Sequence, residues 1–211
     1  MAGTAVTTAH ELGVRRYQGS DRAQVLRLHK VALEAVNAYA DPGPWDDDLD
    51  DIERNYLKSG GEFLVGVLGA DVAAMGALRR VNEDTAELKR MRVSPSLQRQ
   101  GLGRQMLHAL EARTRDLGYT AIVLDTNDRQ TAAIALYQAH AYLETGRGEL
   151  AGLPTLFFRK TLAPATIKSA LAEVVDDRPE RQSRDNGSNT CTTRKPRTCL
   201  LPSSGAAPRQ R

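Results

Sequence analysis

Residues 87–107 read ELKRMRVSPSLQRQGLGRQML, and this stretch decides the fold. Its first part completes a run of branched and long side chains that predicts a strand over 85–93. A short loop with a proline follows. Gly101 and Gly103 then open a run of apolar residues at helical spacing, which predicts a helix over 101–117. The core of the chain is therefore expected to be a strand, a short loop and a helix that begins at two glycines.

The predicted start of that helix has the chemistry of a phosphate-binding site. Free N–H groups and the positive end of the helix dipole attract phosphate oxygens, and the glycines let a ligand approach the backbone. Arg99 and Arg104 add positive charge. A Walker-type loop is excluded because its Lys and Ser/Thr are absent. A dinucleotide fingerprint is excluded because Met106 stands where its third glycine would be.

Elements on both sides of this unit predict an α/β fold with a mixed sheet. Upstream, the patterns predict a strand at 13–18, helices at 21–38 and 47–57, and strands at 62–68 and 72–81. Downstream, they predict a strand at 119–126, a helix at 131–140, and strands at 142–147 and 155–162. An antiparallel run followed by a strand–helix–strand crossover gives an α/β/α sandwich, with six to seven strands and about four helices.

The charge is distributed unevenly along the 211 residues, whose net charge is +3. Residues 163–211 hold nine Lys/Arg and five Asp/Glu, so they carry +4 and the preceding residues carry −1. The same segment has no aromatic residue and five prolines, which is typical of disorder. We therefore predict one domain over 1–162 and a basic, largely disordered tail over 163–211, with the spacing of a short amphipathic helix at 165–176.

Several classes of protein are disfavoured. The chain has no run of about 18 apolar residues and no basic start followed by an apolar stretch, so we expect no membrane association and a cytoplasmic location. Both cysteines, Cys191 and Cys199, lie in the tail, and the four histidines lack metal-ligand spacing, so no metal is expected. A nucleic-acid partner is also disfavoured, because the basicity belongs to the tail.

Two blocks of sequence resemble the GNAT superfamily of acetyl-CoA-dependent N-acetyltransferases. The Gln-x-x-Gly-x-Gly run over 98–103 is similar to the diphosphate loop of that family, and the strand before it is similar to the family's central strand. Residues 124–137, LDTNDRQTAAIALY, resemble its later strand and helix. The family usually continues with Gly-Phe or Gly-Tyr, where this chain has Ala141 and Tyr142. The resemblance spans roughly 12–162.

The resemblance implies acetyl-CoA as the acetyl donor and assigns residues to it. Backbone groups of Met91 and Val93 should pair with the pantetheine arm as an added strand, and N–H groups over 99–104 should hold the diphosphate. The implied cofactor-binding residues are Met91, Arg92, Val93, Gln98, Arg99, Gln100, Gly101, Leu102, Gly103, Arg104, Asn127 and Gln130.

The resemblance also implies catalytic roles. Tyr137 should protonate the leaving thiolate, and Glu87 should accept the proton that the amine loses, directly or through water. By strand alternation Glu87 shares a face with Lys89, Met91 and Val93, and the Val93 N–H should stabilise the oxyanion. Because the predicted domain has no cysteine, the family chemistry would be direct transfer in a ternary complex. Taken alone, Tyr137 fits a half-buried aromatic residue and Glu87 an ordinary strand-end glutamate.

The acceptor and the partners are less defined. A small-molecule or peptide amine is expected, and a homodimer is compatible with the family. The acidic run DDDLDDIE over 46–53 fits either an electrostatic lip for a cationic amine or the acidic start of a helix. The rival hypothesis is a non-catalytic CoA-sensing module whose basic tail binds a partner or nucleic acid.

Overall fold

Seven strands form one sheet in the computed structural model, which describes residues 12–39, 43, 46–150 and 152–163. The strands are β1 (Gly13–Arg16), β2 (Glu62–Leu68), β3 (Asp71–Arg80), β4 (Thr85–Val93), β5 (Ala121–Asn127), β6 (Leu143–Leu150) and β7 (Leu153–Thr161). The helices are α1 (Arg22–Glu34), α2 (Leu102–Asp116) and α3 (Thr131–Ala139). The predicted tail beyond Ala163, with its helix at 165–176, lies outside the described residues.

The sheet is mixed, as predicted. Its strand order is β1-β2-β3-β4-β5-β7-β6. Every neighbouring pair is antiparallel except β4 and β5, which run parallel and are connected through α2. This arrangement is what an antiparallel meander followed by a strand–helix–strand crossover produces.

Apolar side chains from the sheet meet helices on both faces. One cluster joins the sheet to α2 and α3, and its most buried members include Leu78, Met106, Leu107, Leu110, Ile122 and Phe158. The other joins the opposite face to α1 and the segment after it, through Val25, Tyr56, Phe63, Val65 and Met75. The α/β/α sandwich is therefore confirmed. Within the described part of the chain, no helix is long and apolar enough to cross a membrane.

The helix predicted over 47–57 is wrong as a single helix. The segment forms a 3₁₀ turn at Asp47–Leu49 and one π-helical turn at Glu53–Leu57. Local side chains compete for the backbone here, since Asp51 accepts a hydrogen bond from the Arg54 N–H at 2.9 Å and Asn55 donates to the Asp48 carbonyl at 3.2 Å. Such bonds offer the backbone an alternative to a regular helix.

Strands β4 and β5 separate after a short paired segment. Their register joins Thr85–Glu87 of β4 to Ala121–Val123 of β5 and ends there. Beyond Glu87 the two strands diverge, and β5 pairs with β7 along its other edge as far as Asn127. Among the described residues, no strand therefore pairs with the β5-facing edge of β4 in its second half, and a cleft opens between the two strands.

A β-bulge in β4 changes which side chains face this cleft. Arg90 has a φ of 56°. Met75 of β3 pairs with Arg92 and Ala77 pairs with Lys89, so two residues of β4, Arg90 and Met91, stand opposite the single residue Gly76. A Cβ on Gly76 would lie 2.5 Å from Leu110 Cδ1, so a larger residue at this position would require the buried Leu110 side chain to move. The bulge moves Met91 and Val93 to the α2 side of the sheet, where both pack against the core.

The predicted shared face of Glu87, Lys89, Met91 and Val93 is therefore wrong. Lys89 stands opposite Ala77, whose side chain belongs to the cluster on the α1 side. Simple alternation assumes one residue per step, whereas the bulge inserts an extra residue and reverses the alternation after Arg90.

Candidate active site

Two cavities meet along the second half of β4. The first, here called the loop cavity, has a volume of about 320 Å³ and lies against the segment that joins β4 to α2. The second, the cleft cavity, has a volume of about 260 Å³ and lies between β4 and β5. Met91, Arg92 and Gln130 line both, so the two cavities form adjoining parts of one site.

The loop cavity is shaped by the glycines that the sequence singled out. Gly101 has a φ of 84°, a left-handed conformation that favours glycine, and it caps α2. Gly103 lies in the first turn, where a Cβ would sit 3.5 Å from Leu136. Gln98 donates a hydrogen bond to the Val93 carbonyl at 3.3 Å, which ties the loop to the end of β4. The loop thus leaves the first turn of α2 open to a ligand.

The charges around this cavity suit an anionic ligand. Arg99 and Arg104 line it together with Gln98, Gly101 and Gly103. The start of a 15-residue helix adds N–H groups and the positive end of its dipole.

Two other predicted cofactor residues keep their side chains out of the loop cavity. Gln100 donates to the Ser96 carbonyl at 3.5 Å, and Leu102 is buried in the core on the α2 side. Any contact of theirs with a ligand would use the backbone.

Tyr137 lies in the wall of the cleft cavity. It is 4% exposed, and its ring centroid lies 5.5 Å from that of Tyr142 and 6.2 Å from that of Phe158. Burial raises the pKa of the Tyr137 hydroxyl above its usual value, and Asp125 acts in the same direction while Arg92 opposes it. The Tyr137 hydroxyl is therefore neutral at neutral pH, which is the form that the predicted proton donor requires.

The combination of an open strand edge, a glycine-capped helix and a buried tyrosine agrees with a comparison to known families. The model of the Acetyltransferase (GNAT) family matches residues 26–142, which is more than half of the chain. The chain belongs to the GNAT family.

Relatives and solved structures support the same assignment. The chain is 35% identical to N-acetyltransferase family 8 member 2 of Rattus norvegicus over 104 residues, which cover 47% of this chain and 46% of the relative. It thus spans about half the length of the curated relatives that it matches. A GNAT acetyltransferase from Staphylococcus aureus aligns with a TM-score of 0.67 at 20% identity, over 72% of this chain and 100% of that chain.

A second solved structure, a putative acetyltransferase of Salmonella typhimurium, contains its cofactor acetyl-CoA. It aligns with a TM-score of 0.57 at 21% identity, over 76% of this chain and 99% of that chain. At this identity, both structural likenesses show a shared fold.

Glu87, the predicted proton acceptor of this GNAT chain, is held by cations. Its Oε2 accepts hydrogen bonds from Arg79 Nε at 2.9 Å and Nη2 at 2.6 Å, and its Oε1 lies 3.4 Å from Lys89 Nζ. The same Lys89 Nζ lies 3.5 Å from Asp125 Oδ1 across the cleft. Asp125 lines the cleft cavity, and Glu87 is not among the described residues that do so. The catalytic role of Glu87 stays a prediction.

The acidic run after α1 has a structural role that the sequence did not indicate. Arg90 donates hydrogen bonds to Asp46 at 2.8 Å and to both oxygens of Asp48, which also accepts one from the Tyr56 hydroxyl. Asp46 and Asp48 are therefore already paired with a cation that belongs to the protein. Asp46 also lines the cleft cavity, which keeps one acidic group of the run next to the site.

Two predicted residues in the site carry polar atoms without partners. The Oδ1 of Asn127 and the Nε of Arg92 are buried and make no hydrogen bond within the described structure. Both side chains line the cleft cavity. Buried polar groups are normally paired, so unpaired ones in a cavity wall indicate a place for a ligand.

Other residues of the cleft were missed by the sequence interpretation. Asp125 follows a plain apolar run, and Leu33, Ala38, Leu150 and Leu153 come from parts of the chain far from the motif. Nothing in their local sequence marks them, because their proximity arises from the tertiary fold. Among the described residues, no three His, Cys, Asp or Glu side chains are placed to hold a metal.

Proposed function

We propose that this GNAT protein is an N-acetyltransferase that moves the acetyl group of acetyl-CoA to a primary amine by direct attack in a ternary complex. The observation that carries this proposal is the unpaired edge of β4, which leads from the open start of α2 to the buried Tyr137. The rat relative, named an N-acetyltransferase, supports the reaction type. Since the chain spans about half of that relative, the activity itself is part of the proposal.

The residues of both cavities fit the proposed donor. The first turn of α2, with Arg99 and Arg104, would hold the diphosphate. The free edge of β4 after Glu87 would pair with the amide groups of the pantetheine arm. Asn127, whose Oδ1 has no partner, would accept a hydrogen bond from the same arm. Bound in this way, acetyl-CoA supplies an activated acyl group as a thioester.

The chemistry then assigns proton transfers to side chains of the cleft. The amine must lose a proton before it attacks the thioester carbonyl, and a carboxylate next to the cleft is needed to accept that proton. Asp125, which lines the cleft, would accept it. Glu87 is connected to Asp125 by Lys89, whose Nζ lies 3.4 Å from Glu87 Oε1 and 3.5 Å from Asp125 Oδ1. The Val93 N–H, at the end of β4, would stabilise the oxyanion. Tyr137 would then give its proton to the departing thiolate.

The absence of thiols supports direct transfer. Residues 1–162 contain no cysteine, so this segment offers no thiol that could carry the acetyl group. In a ternary complex the fold must instead bring the amine to the thioester, and such positioning is itself a large part of the rate enhancement.

The decisive experiment is a screen of primary amines that follows the release of CoA thiol. We expect acceptor-dependent release with at least one amine. Tyr137→Phe should then lower kcat by about 100-fold and leave the KM for acetyl-CoA nearly unchanged. Tyr142→Phe is the matched control, because its ring neighbours Tyr137 but is not among the residues that line the cleft. CoA binding without turnover on any amine would overturn the proposal in favour of a CoA-sensing module.

A further inference from the structure

The guanidinium of Arg92 lies in the cleft with most of its hydrogen-bonding capacity unused. Its Nη1 donates to the Met91 carbonyl at 2.7 Å, and its Nε is buried without a partner. Within the described residues, no carboxylate forms an ion pair with it at 4.0 Å or less. An arginine has five N–H donors in a planar fork, so several donors of Arg92 are left for a ligand.

Arg90, in the same strand, differs from Arg92 because its guanidinium is fully engaged in ion pairs. It is paired with Asp46 and Asp48. Arg92, two residues later, is instead attracted without an ion pair by Tyr137, Asp46 and Asp125. Burial, together with repulsion from Arg90, lowers the pKa of Arg92 to about 10. A charged group is therefore kept in the cleft, at a cost in desolvation, without an ion pair to any carboxylate among the described residues.

The other residues that line the cleft restrict the type of ligand that could bind Arg92. Asp125 suits an ammonium group or the proton that it loses. Leu33, Leu150 and Leu153 provide an apolar wall. A ligand that satisfies all three features carries an anion, an amine close to it and an uncharged side chain. A carboxylate matches the planar fork of arginine, as a phosphate also does.

We propose that Arg92 binds the carboxylate of the amine acceptor, which makes the acceptor a free α-amino acid with an uncharged side chain. This inference rests on the proposed acetyl transfer and narrows its acceptor from amines in general. It disfavours peptides, because the carbonyl next to a peptide's N-terminal amine is an uncharged amide. Because Arg92 also lines the loop cavity, the anion it binds could instead be a CoA phosphate, and the test separates the two sources.

The test compares amino acids with their amides, which share the side chain and the amine but lack the negative charge. With L-leucine against L-leucinamide, and L-phenylalanine against L-phenylalaninamide, the wild-type protein should show a kcat/KM at least about 10-fold higher for the acid. The amides have the less basic amine and so present more of the reactive neutral form. A preference for the acids therefore reports recognition of the carboxylate and not intrinsic reactivity.

Two arginine variants identify the residue responsible. Arg92→Gln should bring the acid-to-amide ratio close to one, mainly through the KM of the acid, with the KM of acetyl-CoA unchanged within about two-fold. Arg92→Lys, which keeps the charge but loses the fork, should give an intermediate ratio. Arg99→Gln is the matched control in the loop cavity, and it should raise the KM of acetyl-CoA equally with either acceptor.

Failure of this inference differs from failure of the transferase proposal. If amines are acetylated but the amino acids are not preferred to their amides, the role of Arg92 is overturned and the transferase proposal stands. An Arg92→Gln variant with a raised KM for acetyl-CoA and an unchanged acid-to-amide ratio assigns Arg92 to a CoA phosphate.

If no amine is acetylated, the transferase proposal fails, and calorimetry in the presence of CoA still tests the site. Binding of N-acetyl-leucine should exceed that of N-acetyl-leucinamide in the wild type, and equal binding would overturn the inference.

Discussion

At the scale of single residues, burial has opposite consequences for two ionisable side chains that line the cleft, Tyr137 and Arg92. Removing Tyr137 from water stabilises its neutral form, which is the form that a proton donor needs. Removing Arg92 from water destabilises its charged form, so the same environment that prepares the tyrosine makes the arginine dependent on an anion. This difference is consistent with the two proposed roles, proton donation by Tyr137 and anion binding by Arg92.

Asp125 and Glu87 can be distinguished by their neutral variants. We predict that Asp125→Asn lowers kcat/KM by about 100-fold and that Glu87→Gln lowers it less, because Glu87 is paired with Arg79 while Asp125 lines the cleft. The measurement is kcat/KM for one acceptor across pH. Asp128→Asn, at an exposed carboxylate just after β5, is the control. The reverse order of the two effects would assign proton acceptance to Glu87.

At the scale of elements, β4 has bounds that the sequence predicts and a bulge that it does not. Its bounds, Thr85–Val93, and those of β2 are as predicted, because strand propensity and turn residues are local signals. The bulge at Arg90 was not predicted. It depends on Gly76 in the neighbouring strand and on carboxylates more than 40 residues upstream, and no pattern within the letters of β4 marks it.

The same reasoning explains why the loop cavity was predicted better than the cleft. Residues 98–104 are adjacent in sequence, and their glycines indicate the conformation directly. The cleft is instead assembled from α1, β4, β5 and the segment around Leu150 and Leu153. Its composition depends on long-range packing, so the sequence identified Tyr137 but not Asp125.

The ion pairs at the bulge make a prediction about stability. Asp48→Asn should lower the free energy of unfolding by about 3 kcal/mol, because it removes a charged partner from the buried Arg90. Asp47→Asn, at the exposed neighbouring position, should change it by less than about 0.5 kcal/mol. Urea unfolding measures both. Equal midpoints for the two variants would show that Asp48 does not hold the bulge.

At the scale of the whole molecule, the order of the elements and the mixed sheet followed from the sequence, whereas the separation of β4 from β5 did not. Pairing over Thr85–Glu87 leaves the two halves of the sheet joined by a short parallel segment. A ligand that spans the cleft and the start of α2 would connect the two halves. The stability of the whole protein should therefore respond to CoA.

We predict that CoA at about 100 times its dissociation constant adds about 2.7 kcal/mol to the free energy of unfolding and raises Tm by roughly 5–10 °C. Pantetheine at the same concentration should raise Tm much less, because it lacks the diphosphate for which the α2 start is suited. Differential scanning calorimetry gives both shifts. An equal response to the two compounds would indicate that the loop cavity does not bind the diphosphate.

The division of the site into two cavities also affects which substitutions related proteins can accumulate during evolution. Leu33, Leu150 and Leu153 line the cleft cavity and not the loop cavity, so substitutions there alter one binding surface and spare the other. Arg92 lines both cavities, so a substitution at that position lies next to both binding surfaces. Under the proposed role of Arg92, related proteins should therefore change their preference for the acceptor's side chain sooner than their requirement for its carboxylate.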